Sequence, residues 1–166
     1  MVSYLDSLMT LLNSFPFYPT VSFLGALTLA VTRRWRHTAY FLVAMALVGA
    51  IAVSLKTAVH APRPYVKQGI EVAEKSHIPF RVYDDDYASF PSMHAMTAFA
   101  PVGIFHSAYR SRRLTVALCG FAALVAYSRV YLSLHHVSDV VVGGALGMGV
   151  SFLVLSLGDT LQSRLG

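Results

Sequence analysis

Long apolar stretches separated by short polar clusters dominate this chain. Stretches free of Asp, Glu, Lys and Arg run over residues 7–32, 39–55, 87–109, 114–128 and 140–158. Most approach the roughly 20 residues that a helix needs to cross a bilayer. Pro16 and Pro19 divide the first stretch, because proline lacks the N–H that a helix interior requires and suits only a first turn. The pattern therefore predicts a short N-terminal helix over 4–13, too short to cross alone, and five spanning helices over about 17–32, 38–59, 92–109, 114–131 and 138–157. The expected fold class is an all-α integral membrane protein, a six-helix bundle of five spanning helices and the short N-terminal helix. One long loop over 60–90 carries Pro62, Pro64, Pro79 and the run Asp84, Asp85, Asp86. A connection of that length is uncommon unless it is functional.

Composition agrees with this picture. The chain of 166 residues is 55% apolar and 13% charged, far less charged than an ordinary soluble domain. A formal charge of +5 raises nucleic acid as a partner, but the positions of the charges argue against it. Arg33, Arg34 and Arg36 form one short loop, Arg110, Arg112 and Arg113 another on the same side, and Arg164 joins them. The positive-inside tendency makes those ends cytoplasmic, with Trp35 and Tyr40 suited to the interface. The long loop is then extracytoplasmic. No repeat, low-complexity tract or second domain is seen, so residues 1–166 read as one membrane-embedded domain, and no removable signal peptide is expected. Cys119 lies within a span and has no internal partner for a disulfide.

Counting spans from the arginine loops brings three polar clusters to the extracytoplasmic face. These are Lys56 with Arg63 and Pro64; Pro91, Ser92, Met93 and His94; and Ser128 and Arg129 with His135 and Asp139. Ionisable residues at segment ends near a bilayer are costly and point to chemistry. Lys56, Arg63 and Arg129 can surround a phosphoryl group, since guanidinium forks match phosphate oxygens and an ammonium adds compact charge. Ser92, Met93 and His94 follow Pro91 at a predicted helix start, where backbone N–H groups and the dipole favour an anion. His135 and Asp139 are four apart, so they share a face if the last helix reaches back to the histidine. A carboxylate on one ring nitrogen leaves the other free to attack, which makes His135 the expected nucleophile. His94 is the expected general acid for the leaving oxygen.

These residues resemble the tripartite signature of the type 2 phosphatidate phosphatase superfamily. The resemblance rests on ten identities in order between Lys56 and Asp139, half of the chain. It implies a metal-independent phosphatase that works through a phosphohistidine, with no cofactor. It also implies His135 as nucleophile, Asp139 as its orienting partner and His94 as acid, with Lys56, Arg63, Ser92, Met93 and Arg129 around the phosphate. One position departs from the pattern: Met93 stands where glycine is usual, and glycine permits close approach and unusual dihedrals. Activity is expected to survive with substrate preference altered.

Other polar residues receive plainer readings. His136 neighbours the nucleophile but has valine four residues on, so it is read as a bystander. His60 and His77 lie toward the site and His106 away from it, and none forms a metal constellation. Asp84, Asp85 and Asp86 read as a solvated turn. Gly143 and Gly147 form a small-residue spacing for close helix packing. The expected activity is hydrolysis of a lipid phosphomonoester or diphosphate, with undecaprenyl diphosphate the preferred substrate and phosphatidate, phosphatidylglycerophosphate and lipid A phosphates as alternatives. A lipid phosphotransferase using the same histidine, and a non-catalytic membrane protein with a degenerate site, are the competing readings.

Overall fold

The computed structural model describes residues 4–13, 17–68 and 85–165. Pro16, His77, Pro79 and Asp84, named above, lie outside the described residues. Within them the secondary structure is helical throughout: α1 Tyr4–Asn13, α2 Phe17–Val31, α3 Trp35–Val59, α4 Pro64–Gln68, α5 Met93–Tyr109, α6 Arg112–Tyr131 and α7 Val137–Leu165, with a single 3-10 turn at Asp85–Tyr87. The helix boundaries follow the apolar stretches closely. Pro19 falls in the first turn of α2, where its missing donor costs nothing.

Helices α3, α6 and α7 are long and apolar enough to cross a membrane. Helix α2, with 15 residues, and α5, with 17, are shorter. The last helix continues past the predicted end near 157 to Leu165. Hydropathy falls at Asp159, but the helix is held at the bundle end by Arg36, whose Nη1 donates to Gln162 Oε1 at 2.5 Å.

Helix α5 is the centre of the bundle, packed against α2, α3, α6 and α7. It is apolar on nearly every side and buried accordingly, from Ala95 through Phe105. Its inner face joins Met45, Val48 and Phe41 of α3 and Val150 and Val154 of α7 in one core. The α5–α7 contact is close because α7 presents glycines to the α5 backbone: a Cβ on Gly143 would lie 2.6 Å from the Ser92 carbonyl oxygen, and one on Gly147 would collide with that of Met96. The small-residue spacing is thus used for packing within the chain. Ser151 reinforces it by donating to the Ala100 carbonyl. Helix α1 lies against α6, tied there by Tyr131 Oη donating to Asp6 Oδ1 at 2.7 Å.

Candidate active site

At one end of the bundle three turns and one short strap bring the polar clusters together. The first turn follows α3. Lys56 occupies the last helical turn, and His60 closes the helix in the left-handed region at φ 51°, its N–H donating back to the Lys56 carbonyl. The chain then doubles back to Arg63, and Pro64 opens α4 at the position where proline is best tolerated. Lys56 and Arg63 are only 3% and 7% exposed, so the lysine does not snorkel to water.

The second turn follows α6. Ser133 has φ 55°, and the amides of Ser133 and Leu134 donate to the carbonyls of Val130 and Arg129, both at 3.0 Å. This is a Schellman motif with serine where glycine is usual. It folds the chain so that the His135 amide also reaches the Arg129 carbonyl, at 3.2 Å. Arg129 and His135, with five residues between them in the sequence, meet because of this turn.

Helix α7 begins at Val137 and does not reach back to His135, as the shared-face argument required. Asp139 is instead the third residue of the helix, and its Oδ2 accepts from the His136 backbone N–H at 2.9 Å, as an acid does in a capping box. The same oxygen lies 3.3 Å from His136 Nδ1. His136 therefore does have an acidic partner, three residues on rather than four. It is not buried with the cluster and stays partly exposed.

The hydrogen-bond partner of His135 Nδ1 is the backbone carbonyl of Ser89, at 2.6 Å, while Asp139 Oδ2 lies 3.8 Å away. At the longer distance the carboxylate attracts charge on the ring but does not form a hydrogen bond with it. A carbonyl can only accept, so Nδ1 carries the proton and the lone pair of a neutral ring sits on Nε2. Arg63 Nη1 lies 3.5 Å from Nε2 and donates to the Leu134 carbonyl at 3.1 Å. Burial holds the His135 pKa well below the usual 6.5, and the Arg63, Arg129 and Lys56 charges push the same way against the opposing pull of Asp139. The ring is neutral at neutral pH.

Ser89 was not singled out by the sequence, and no spacing or periodicity marks it. It is fully buried and sits on the strap 86–89 that links the clusters. Arg63 N–H donates to the Asp86 carbonyl at 2.9 Å, Ser89 N–H to the Ala61 carbonyl at 3.0 Å, and Lys56 Nζ to the Ala88 carbonyl. Ser89 Oγ donates to Asp139 Oδ2 at 2.5 Å.

The strap runs directly into the third turn, through the cis Phe90–Pro91 bond to Ser92. Ser92, rather than Pro91, starts the helix: it is the N-cap of α5, with Oγ accepting from Ala95 N–H. Its own N–H donates to the Asp139 carbonyl at 3.0 Å. Two amides at this helix start are thus engaged within the protein rather than offered to an anion, while the Ser92 hydroxyl keeps its proton for donation. Met93 is already helical, has no positive φ, and packs against the apolar core. The conformational reason for glycine at that position is absent here. His94, partly buried on the first turn of α5, lies within electrostatic reach of Arg129, His135, Arg63 and Lys56. Five polar side chains of the cluster, Lys56, Arg63, Arg129, His135 and Asp139, are each buried.

A neutral imidazole with one nitrogen held and the other facing guanidinium can attack a phosphorus atom, and the surrounding cations can hold its oxygens. Comparisons with known proteins find phosphatases among the similar chains. A lipid A 1-phosphatase of Porphyromonas gingivalis is 36% identical over 75 residues, covering 44% of this chain and 17% of that protein. The human dolichyldiphosphatase 1 is 29% identical over 145 residues, covering 83% of this chain and 60% of its own. The chain thus spans less than two thirds of the length of either relative. The crystal structure of Aquifex aeolicus LpxE shares the fold, with a TM-score of 0.63, 24% identity, and coverage of 90% of this chain and 93% of that one. The PAP2 superfamily pattern matches residues 37–162, which contain all three polar clusters, and the chain belongs to that superfamily.

Proposed function

We propose that this chain is a metal-independent membrane lipid phosphatase acting through a phosphohistidine on His135. The observation that carries this reading is the state of His135: Nδ1 is held by the Ser89 carbonyl, and Nε2 is left facing Arg63 in a site where Lys56 and Arg129 are buried. In the first step Nε2 forms a bond to phosphorus, the bond from phosphorus to the leaving oxygen breaks, and His94 passes that oxygen a proton. In the second step water attacks phosphorus and gives a proton to His94, the P–N bond breaks, and phosphate leaves with His135 and His94 restored. Lys56, Arg63, Arg129 and the Ser92 hydroxyl hold the oxygens as charge spreads over them in the transition state. Met93 packs away into the core and shapes the site only indirectly.

The five helices α2, α3, α5, α6 and α7 cross the bilayer in this reading. Arginines 33, 34, 36, 110, 112 and 113 lie at the bundle end opposite the site, and the positive-inside tendency supports reading that end as cytoplasmic and the site as facing outward from the cell membrane. A lipid diphosphate presented there fits best, and undecaprenyl diphosphate is the substrate we favour. Both relatives described above carry the names of phosphatases of lipid phosphate groups.

Purified protein in detergent, with chelator present, tests the proposal on undecaprenyl diphosphate, phosphatidate, phosphatidylglycerophosphate and lipid A. Phosphate release that is fastest on the first and lost in His135→Ala is the expected result. Release that survives His135→Ala overturns the nucleophile, and loss of release on adding chelator overturns metal independence.

A further inference from the structure

The strap residue Ser89 touches two of the groups assigned above to catalysis, one through its backbone and one through its side chain. Its carbonyl accepts from His135 Nδ1 at 2.6 Å and its hydroxyl donates to Asp139 Oδ2 at 2.5 Å. The direct His135 to Asp139 separation is 3.8 Å. Ser89 is fully buried and anchored from behind by its own N–H on the Ala61 carbonyl at 3.0 Å. We propose that Ser89 is the positioning residue for His135: it fixes the ring's tautomer through its carbonyl and holds the Asp139 carboxylate through its hydroxyl. This rests on the reading of His135 as the nucleophile.

The physical logic has two parts. A ring whose Nδ1–H is tied to a fixed carbonyl cannot rotate or change tautomer, so Nε2 is always the attacking atom. The carboxylate matters next, when phosphorus bonds to Nε2 and the ring becomes cationic. Asp139 then stabilises the ring by attraction at 3.8 Å. Its competing donors, the Ser89 hydroxyl and the His136 amide, keep it from closing onto Nδ1 and displacing the carbonyl. The strap also takes Lys56 through the Ala88 carbonyl. The segment that orients the nucleophile therefore also fixes a phosphate-binding cation.

Two measurements test this, with undecaprenyl diphosphate in detergent as the probe. The first is the pH profile of Ser89→Ala. That variant keeps the carbonyl and loses the hydroxyl, so Asp139 turns its charge toward His135 and favours the protonated ring. The other ionisable groups facing His135 stay in place: Lys56 of α3, Arg63 before α4, His94 of α5, Arg129 of α6 and the adjoining His136. The expected result is a fall in kcat of roughly tenfold, the low end for partners that orient a reacting imidazole. KM should stay unchanged, and the acid limb of kcat/KM should move to higher pH. A fall in kcat with the limb unmoved is the signature of a purely structural serine and overturns the proposal, as does an unchanged kcat. The second measurement needs no variant at position 89. Nitrogen NMR of histidine-labelled wild-type protein, with His135 assigned by difference from His135→Ala, should show the ring proton on Nδ1. A proton on Nε2 overturns the proposal. If His135→Ala keeps turning over substrate, the nucleophile reading fails. If it is inactive while Ser89→Ala behaves as wild type, only the role of Ser89 fails.

Discussion

The two ends of the bundle are both basic, yet they treat positive charge in opposite ways. At one end Arg33, Arg34, Arg36, Arg110, Arg112 and Arg113 are all exposed, and their contacts are those of surface side chains, such as the Arg34 guanidinium 5.6 Å over the Tyr109 ring. At the other end Lys56, Arg63 and Arg129 are 3%, 7% and 5% exposed. Taking a cation from water costs on the order of several kcal/mol. Exposed arginines incur none of that cost, and in the proposed orientation they set topology. Buried ones are tolerated where they do chemistry, and here they surround an imidazole. Residue type alone therefore says little, and burial separates the two roles.

The largest expected effect breaks or keeps that contrast directly. Arg129→Ala should lower kcat/KM by about 10²- to 10³-fold, the scale of losing one transition-state donor. Arg112→Ala, at the other end, should leave it within about twofold, as surface substitutions usually do. Phosphate release from a lipid diphosphate in detergent measures both. Equal losses would mean that both ends bind substrate. Arg129→Lys should not restore the rate fully, because an ammonium lacks the forked donors of guanidinium.

The same contrast extends to packing. A Cβ on Gly143 would lie 2.6 Å from the Ser92 backbone oxygen at the site end, whereas one on Gly158 would meet the outer end of the Tyr40 ring. Backbone at a helix cap cannot yield, but a partly exposed tyrosine ring can swing aside. Gly143→Ala should cost about 1–3 kcal/mol and reduce turnover, because Ser92 carries the start of α5. Gly158→Ala should cost less and leave turnover intact. Thermal unfolding beside the phosphate assay distinguishes the two.

How much of this was legible beforehand depends on the physics behind each feature. Helix ends such as Phe17, Val59, Tyr109 and Tyr131 were readable because apolar stretches and arginine loops mark them. The spacing of Lys56, Arg63, His94, Arg129, His135 and Asp139 named the residues that the folded chain brings to one end. The connection from His135 to its partner was not readable. The turn that delivers it uses serine at Ser133, where glycine would have signalled a left-handed residue. His136 was read as a bystander because valine lies four residues on, whereas its acidic partner, Asp139, lies three residues on in the first turn of α7. Ser89 had no signal at all, since its importance lies mainly in a backbone carbonyl.

A smaller effect concerns pH. Burial, followed by the charges of Arg63, Arg129 and Lys56, lowers the His135 pKa below 6.5. A lowered pKa keeps the ring neutral and nucleophilic at neutral pH, and activity is lost only as pH falls through the lowered value. The acid limb of kcat/KM should therefore lie below pH 6.5 in the wild type. Arg63→Gln removes a charge that opposes the imidazolium, so the limb should move upward, by about one unit if the lost interaction is near 1.4 kcal/mol. A limb that stays in place would separate Arg63 from the nucleophile.

The smallest effect belongs to the exposed end. Arg34 lies over the Tyr109 ring, and Tyr109 Oη is 2.7 Å from Thr32 Oγ1, so the pair joins the ends of α2 and α5. A cation over an aromatic face at an exposed position is worth about 0.5–1 kcal/mol. Arg34→Ala should therefore lower the unfolding temperature slightly and leave kcat/KM and its pH profile unchanged. The charge is far from the imidazole and screened by water and salt, so its loss does not reach the site. A change in the acid limb of this variant would show that the two ends are coupled through α5, and the separation of topological from chemical charge would then fail.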